Sequence, residues 1–138
     1  MRRPVRDECG ESLLELLISV VIMGITVVAV VGALVVATRT SDLHRKEATA
    51  GTSARDYAEA VARTTYGNCA TASAFSPATV GFPVPAGYAA SVVSVKYWNG
   101  SLFAAGCGTD NGLQQVVVQL ASTDGRATER ATVVVRTP

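Results

Sequence analysis

Histidine occurs once in this chain, at His44, which excludes a His-rich metal site. Aromatic residues make up 6% of the sequence, and no basic stripe interleaved with aromatics is present. The formal net charge is +1, so neither nucleic acid nor an acidic substrate is implied as the main partner. Three cysteines, Cys9, Cys69 and Cys107, are an awkward odd number for an exported domain. With 138 residues, the chain has room for one compact domain plus whatever the N-terminus does.

What is abundant is apolar surface, and it is concentrated. The hydrophobic fraction is 49%, and much of it lies in residues 13–37. Within that block only Glu15 is charged, and Ser19 and Thr26 are mildly polar. A helix of that length, at about 1.5 Å per residue, exceeds the ~30 Å hydrocarbon core of a bilayer. A secretory signal peptide carries a shorter apolar region, about 7–15 residues, followed by a small-residue cleavage site, and no such site follows here. A soluble core helix would show a polar face. The block therefore reads as membrane-inserted. Arg2, Arg3 and Arg6 precede it, and Arg39, Arg45 and Lys46 follow it. The two flanks nearly balance, with a lean toward a cytoplasmic N-terminus.

Cleavage after Gly10 would discard Cys9 and leave an even pair. Cys69 and Cys107 would then close a long loop outside the membrane, where disulfides persist. Loop-closure entropy gives such a bond roughly 4 kcal/mol. The alternative is two separate buried thiols.

Along the chain, residues 1–10 are polar, basic-leaning and interrupted by Pro4, as in a leader. Residues 11–37 form the transmembrane helix. Residues 38–66 continue as an amphipathic helix. In that part Ala50, Ala54, Tyr57 and Val61 recur at helical spacing, and Arg55, Glu59 and Arg63 follow i,i+4 steps on another face. Gly51 weakens the helix there, and a flexible stalk over residues 38–53 is the alternative. Gly67 ends the helix. Residues 68–87, with Pro77, Pro83 and Pro85, are loop material. The period then changes to two. Val93, Val95 and Tyr97 alternate with Val92, Ser94, Lys96 and Trp98. Asn99-Gly100 marks a hairpin, residues 102–105 return, and residues 109–112 turn again. Residues 113–122 form a strand, Asp124-Gly125 a third turn, and residues 127–136 the last strand. The predicted fold is α+β: a long N-terminal helix packed on a small antiparallel sheet, a meander of about four strands, in a β-rich head over residues 67–138.

The chemistry-bearing stretch runs Gly10-Glu11-Ser12-Leu13-Leu14-Glu15-Leu16-Leu17-Ile18. An acid at the centre of a membrane helix costs about 2.5–3.5 kcal/mol, less near the interface, so Glu15 calls for a partner. If the bond after Gly10 is cut, the new α-amino group lies about one helical turn from Glu15. Amine and carboxylate then neutralise each other, within one subunit or between neighbours in a stack. Charge would set the axial register, and the apolar faces would supply the packing.

This stretch resembles the prepilin N-terminus of type IV pilins and pseudopilins. That family has a short basic leader ending in Gly, a glutamate at the fifth mature residue and a long apolar helix. Gly10, Ser12, Leu13, Glu15 and the run to Ala37 fit the pattern. The order of helix and antiparallel sheet also resembles the pilin fold, and so does a disulfide in the C-terminal part.

The resemblance implies cleavage by a prepilin peptidase between Gly10 and Glu11, followed by N-methylation of Glu11. It implies other pilin or pseudopilin subunits, a membrane platform protein and, before assembly, the lipid bilayer as partners. It also implies a single-pass protein of the cytoplasmic membrane with its head outside, later held in an extracytoplasmic filament. The family most often begins the mature chain with Phe or Met. Glu11 departs from that and points to a minor or specialised subunit. Many major pilins carry a proline near the position of Gly32. Gly24 and Gly32 either let the helix bend or are the small residues common in membrane helices.

The competing functional reading is a single-pass anchor holding an extracellular binding domain that never polymerises. No cofactor, metal or catalytic residue is expected. Ser12 and His44 lie on the membrane segment and the stalk, with nothing to join them into a nucleophilic relay. Residues 107–112 carry oxygen-bearing side chains, but they lack the spacing and closing acid of a calcium loop and read as a turn. Tyr88, Tyr97, Trp98 and Phe103 read as sheet core, with Trp98 the one exposed by alternation.

Overall fold

The computed structural model describes residues 9–108 and 110–138, with side chains from Leu13 onward. The leader expected over residues 1–10 lies outside the described residues, apart from the backbone of Cys9 and Gly10. The chain divides into two compact units, Met1–Ser41 and Asp42–Pro138.

One helix, α1 (Cys9–Ala62), accounts for the described part of the first unit and opens the second. In the first unit every residue from 13 to 41 is exposed. The helix accommodates Thr26 because its hydroxyl donates to the Ile22 carbonyl at 2.8 Å, so that hydroxyl is not left bare on the apolar surface.

In the second unit the helix becomes amphipathic. Ala50, Tyr57 and Val61 are fully buried and Ala54 is 2% exposed, which is the predicted stripe. On the other face Arg63 bridges Glu59 at 3.1 Å. The helix stops at Ala62, four residues short of the expected 66. Thr64 accounts for this: its amide and its hydroxyl both donate to the Val61 carbonyl, at 3.1 and 2.7 Å, and tighten the last turn.

The sheet has four antiparallel strands: β1 (Tyr88–Trp98), β2 (Phe103–Ala104), β3 (Leu113–Ser122) and β4 (Thr128–Arg136). The α+β layout of one long helix with a four-stranded antiparallel sheet is the expected, pilin-like one. The strand order is β2-β1-β3-β4, which corrects the predicted meander. A two-residue β2 has too little ladder to hold β3, which is ten residues long. The eleven-residue β1 offers a full ladder, so β3 passes β2 and pairs with β1.

A second correction concerns the faces of β1. A bulge falls between Val92 and Ser94, which pair with Val118 and Val117. Val93 is the extra residue, and it is 44% exposed. The bulge shifts the alternation by one, so Val92 and Val95 pack on the core cluster and Tyr97 is buried on the same side.

The core forms where Tyr57 and Val61 of the helix meet Val116, Val118 and Leu120 of β3 and Val135 of β4. Burying a side chain such as Val61 is worth about 1.5–3 kcal/mol. Two further core residues come from the segment read as plain loop. Phe75 ends a short 3-10 helix (Ala72–Phe75), and Phe82 stacks on Tyr57 with ring centres 4.9 Å apart. The Tyr57 hydroxyl donates to the Phe75 carbonyl at 2.7 Å. Burial pushes the Tyr57 phenol up to about 12, so it stays a neutral donor.

Candidate membrane and assembly segment

The apolar stretch of α1 is long and apolar enough to cross a membrane, and its most hydropathic window has no buried residue. Leu13, Met23 and Val28 are 72%, 69% and 73% exposed, which water alone would penalise heavily. Glu15 is the one charged residue among them and is exposed as well. Gly10 and Glu11 lie in helical backbone, and their side-chain surroundings fall outside the described residues. Nothing stands within 4 Å of a Cβ built at Gly24 or Gly32, so neither glycine is required there by a close neighbour within the chain.

Cys69 and Cys107 are joined by a disulfide, with Cα atoms 5.7 Å apart and a separation of 38 positions in sequence. Around it lies a polar network that the sequence did not reveal. Asp110 accepts from the Cys69 amide at 3.0 Å, from the Gly112 amide at 3.1 Å and from Gln114 Nε2 at 2.7 Å. Gln114 is fully buried, and Nε2 also donates to the Gly67 carbonyl at 2.7 Å. The Tyr66 hydroxyl is buried beside this network, outside ordinary hydrogen-bond geometry. Burial pushes the Asp110 carboxyl up, and the Tyr66 phenol together with the Cys69, Gln114 and Gly112 groups outweighs it and holds the carboxyl below its ordinary value. Cys69 itself has φ 55°, a left-handed conformation unusual for a residue with a side chain. Its amide is aimed at Asp110 in that conformation. One aspartate thus ties the backbone at the disulfide's Cys69 to the start of β3.

Cys69, Cys107 and Asp110 bring ligand atoms within 4.8 Å of one another. With the disulfide formed, neither sulfur is a thiolate, and the Asp110 oxygens are already occupied by amide donors. The set is a structural clasp. His44 sits 3.4 Å from Glu47 on the exposed helix surface. Of the four aromatic residues singled out in the sequence, Tyr97 is buried, and its hydroxyl donates to the Ala70 carbonyl at 2.9 Å. Tyr88 is half-buried and donates to the Lys46 carbonyl at 3.1 Å. Trp98 is half-buried rather than exposed, because Phe103 packs against it with ring centres 5.1 Å apart.

At the turn between β3 and β4, Asp124 meets the helix. Lys46 Nζ lies 2.6 Å from Asp124 and 3.2 Å from Asp42. Ser122 Oγ donates to Asp124 at 2.7 Å, and the Arg126 amide does so at 3.2 Å. The Lys46 ammonium first, then Ser122 and Arg126, hold the Asp124 carboxyl well below the carboxylate range. Asp124 and then Asp42 in turn raise Lys46.

Comparison with protein-family profiles, curated proteins and solved structures finds no match to this chain.

Proposed function

We propose that the chain is a structural subunit of a type IV pilus-like or type II secretion-like filament, cleaved after Gly10 by a prepilin peptidase and polymerised through its N-terminal helix. The observation that carries this reading is the lone Glu15 near the start of an otherwise apolar and wholly exposed helical stretch. A simple anchor gains nothing from an acid at that place and bears its desolvation cost. In an assembly of such helices the carboxylate has a role, since it can receive the α-amino group of a cleaved neighbour. The exposed side chains of residues 13–37 then find cover first in lipid and afterwards against one another. In this reading the head, stapled by Cys69–Cys107, lies outside the membrane, where that bond persists. The N-terminus faces the cytoplasm, where the peptidase and the platform protein meet it. Glu11 becomes the first mature residue and the place of N-methylation.

Mass spectrometry of the protein's native N-terminus tests the proposal. A chain beginning at Glu11 is expected. An intact leader in cells with an active prepilin peptidase would favour the non-polymerising anchor and sink the filament reading.

A further inference from the structure

The chain contains two asparagine–glycine pairs, Asn99-Gly100 and Asn111-Gly112. In such a pair no Cβ shields the following backbone nitrogen, so it reaches the asparagine side-chain carbon more easily than elsewhere. The fold treats the two pairs in opposite ways.

At the first pair, Asn99 Oδ1 accepts from the Ser101 amide at 2.9 Å and the Leu102 amide at 3.0 Å. Residues 99–102 are all exposed. Among the described residues the Gly100 amide donates to nothing. At the second pair the attacking nitrogen is occupied. The Gly112 amide donates to Asp110 Oδ1 at 3.1 Å. Gly112 is half-buried, and Thr137 Oγ1 stands 2.9 Å from where a Cβ would lie. The Gly112 carbonyl also holds the Thr137 amide at 3.0 Å, which fixes the segment further.

We propose that Asn99 is a site of spontaneous deamidation and that the fold protects Asn111. The Gly100 nitrogen gives its proton to solvent base and attacks Asn99 Cγ. The carbonyl electron pair moves onto Oδ1, where the Ser101 and Leu102 amides already donate, as backbone donors do for a developing oxyanion. Collapse of the adduct breaks the Cγ–Nδ2 bond, and the nitrogen leaves as ammonia after taking a proton from water. Water then opens the cyclic imide at either carbonyl, giving aspartate or isoaspartate. The net exchange is water in and ammonia out, with no oxidant and no cofactor. The exposed tip of the β1–β2 hairpin gains a negative charge beside the Trp98–Phe103 pair.

The full chain in detergent micelles, held in mildly alkaline buffer, is followed by peptide mass mapping at both asparagines. Asn99 is expected to convert about tenfold faster than Asn111 or more, the factor a single retained hydrogen bond of ordinary strength can impose. In denaturant with the disulfide reduced, the two rates are expected to converge. Asn99→Gln is expected to abolish most ammonia release from the folded chain. A smaller ratio in the folded protein, equality or an inversion would overturn the proposal. So would a ratio that persists in denaturant, because local sequence rather than the fold would then be making the choice.

Discussion

Lys46 and Asp124 stand 78 positions apart in sequence, and their charged groups meet at 2.6 Å. The contact fastens the helix to the turn between β3 and β4, and Asp42 and Ser122 complete it. Asp124 is exposed and Lys46 half-buried, so solvent still reaches the pair and the stabilisation is modest and salt-sensitive.

Its pH dependence has a definite sign on each side. Asp124 is lowered from 3.8, so its contribution is fully present above that value and is lost as pH falls through the lower folded value. Lys46 is raised from 10.5, so its contribution is present below that value and is lost as pH rises through the higher folded value. Asp124→Asn is expected to lower the Tm slightly near neutrality and to leave it unchanged in strong acid. Thermal melts across pH on the parent and the variant check this, and a difference that persists in strong acid would refute the ion-pair account.

The buried hydroxyl of Tyr57 gives a sharper test. Tyr57→Phe removes the donor to the Phe75 carbonyl while keeping the ring that stacks on Phe82. An orphaned buried acceptor costs about 1–3 kcal/mol. Chemical denaturation is expected to show a loss in that range. Leu102→Ala, at a residue 56% exposed, should change stability by less than about 0.5 kcal/mol.

The bulge in β1 is tested by a pair of substitutions one residue apart. Val92→Asp places a carboxylate against the core cluster and is expected to destabilise by about 2 kcal/mol or more. Val93→Asp lands on the 44% exposed bulge residue and is expected to cost far less. A larger loss at Val93 than at Val92 would mean that the simple alternation holds and the bulge does not.

Removing the disulfide as Cys69→Ser with Cys107→Ser is expected to cost about 4 kcal/mol by loop-closure entropy for a separation of 38 residues. Urea unfolding of the parent under oxidising and reducing conditions should reproduce the same difference. A loss near zero would show that the Asp110–Gln114 network holds this loop by itself.

Glu15→Ala addresses the proposed assembly. The variant is expected to be processed but to be missing from sheared filaments in an immunoblot. Normal incorporation would remove the charge-register mechanism, although Leu13 and its neighbours would still need cover.

The helix was legible in sequence because its signals are local. A block with a single charge, then the spacing of Ala50, Ala54, Tyr57 and Val61, is repeated at intervals of one or two turns, and each repeat constrains the same geometry. The strands were legible from alternation and from Asn99-Gly100 and Asp124-Gly125. The end of the helix was missed by four residues because Thr64 competes for the Val61 carbonyl, a choice made within one turn.

By itself the sequence determined an apolar helix with one acid, an amphipathic continuation, a cysteine pair and a set of turns, since all of these follow from neighbours along the chain. Only the tertiary structure decided which strand β3 would pair with, which of Val92 and Val93 would face inward, and that Phe75 and Phe82 would leave their loop to pack near Tyr57. It also decided that Asp110 would serve the Cys69 amide and Asp124 would serve Lys46. Those outcomes depend on groups tens of residues apart competing for the same ladder positions, the same apolar space or the same carboxylate, and no local pattern records which of them wins.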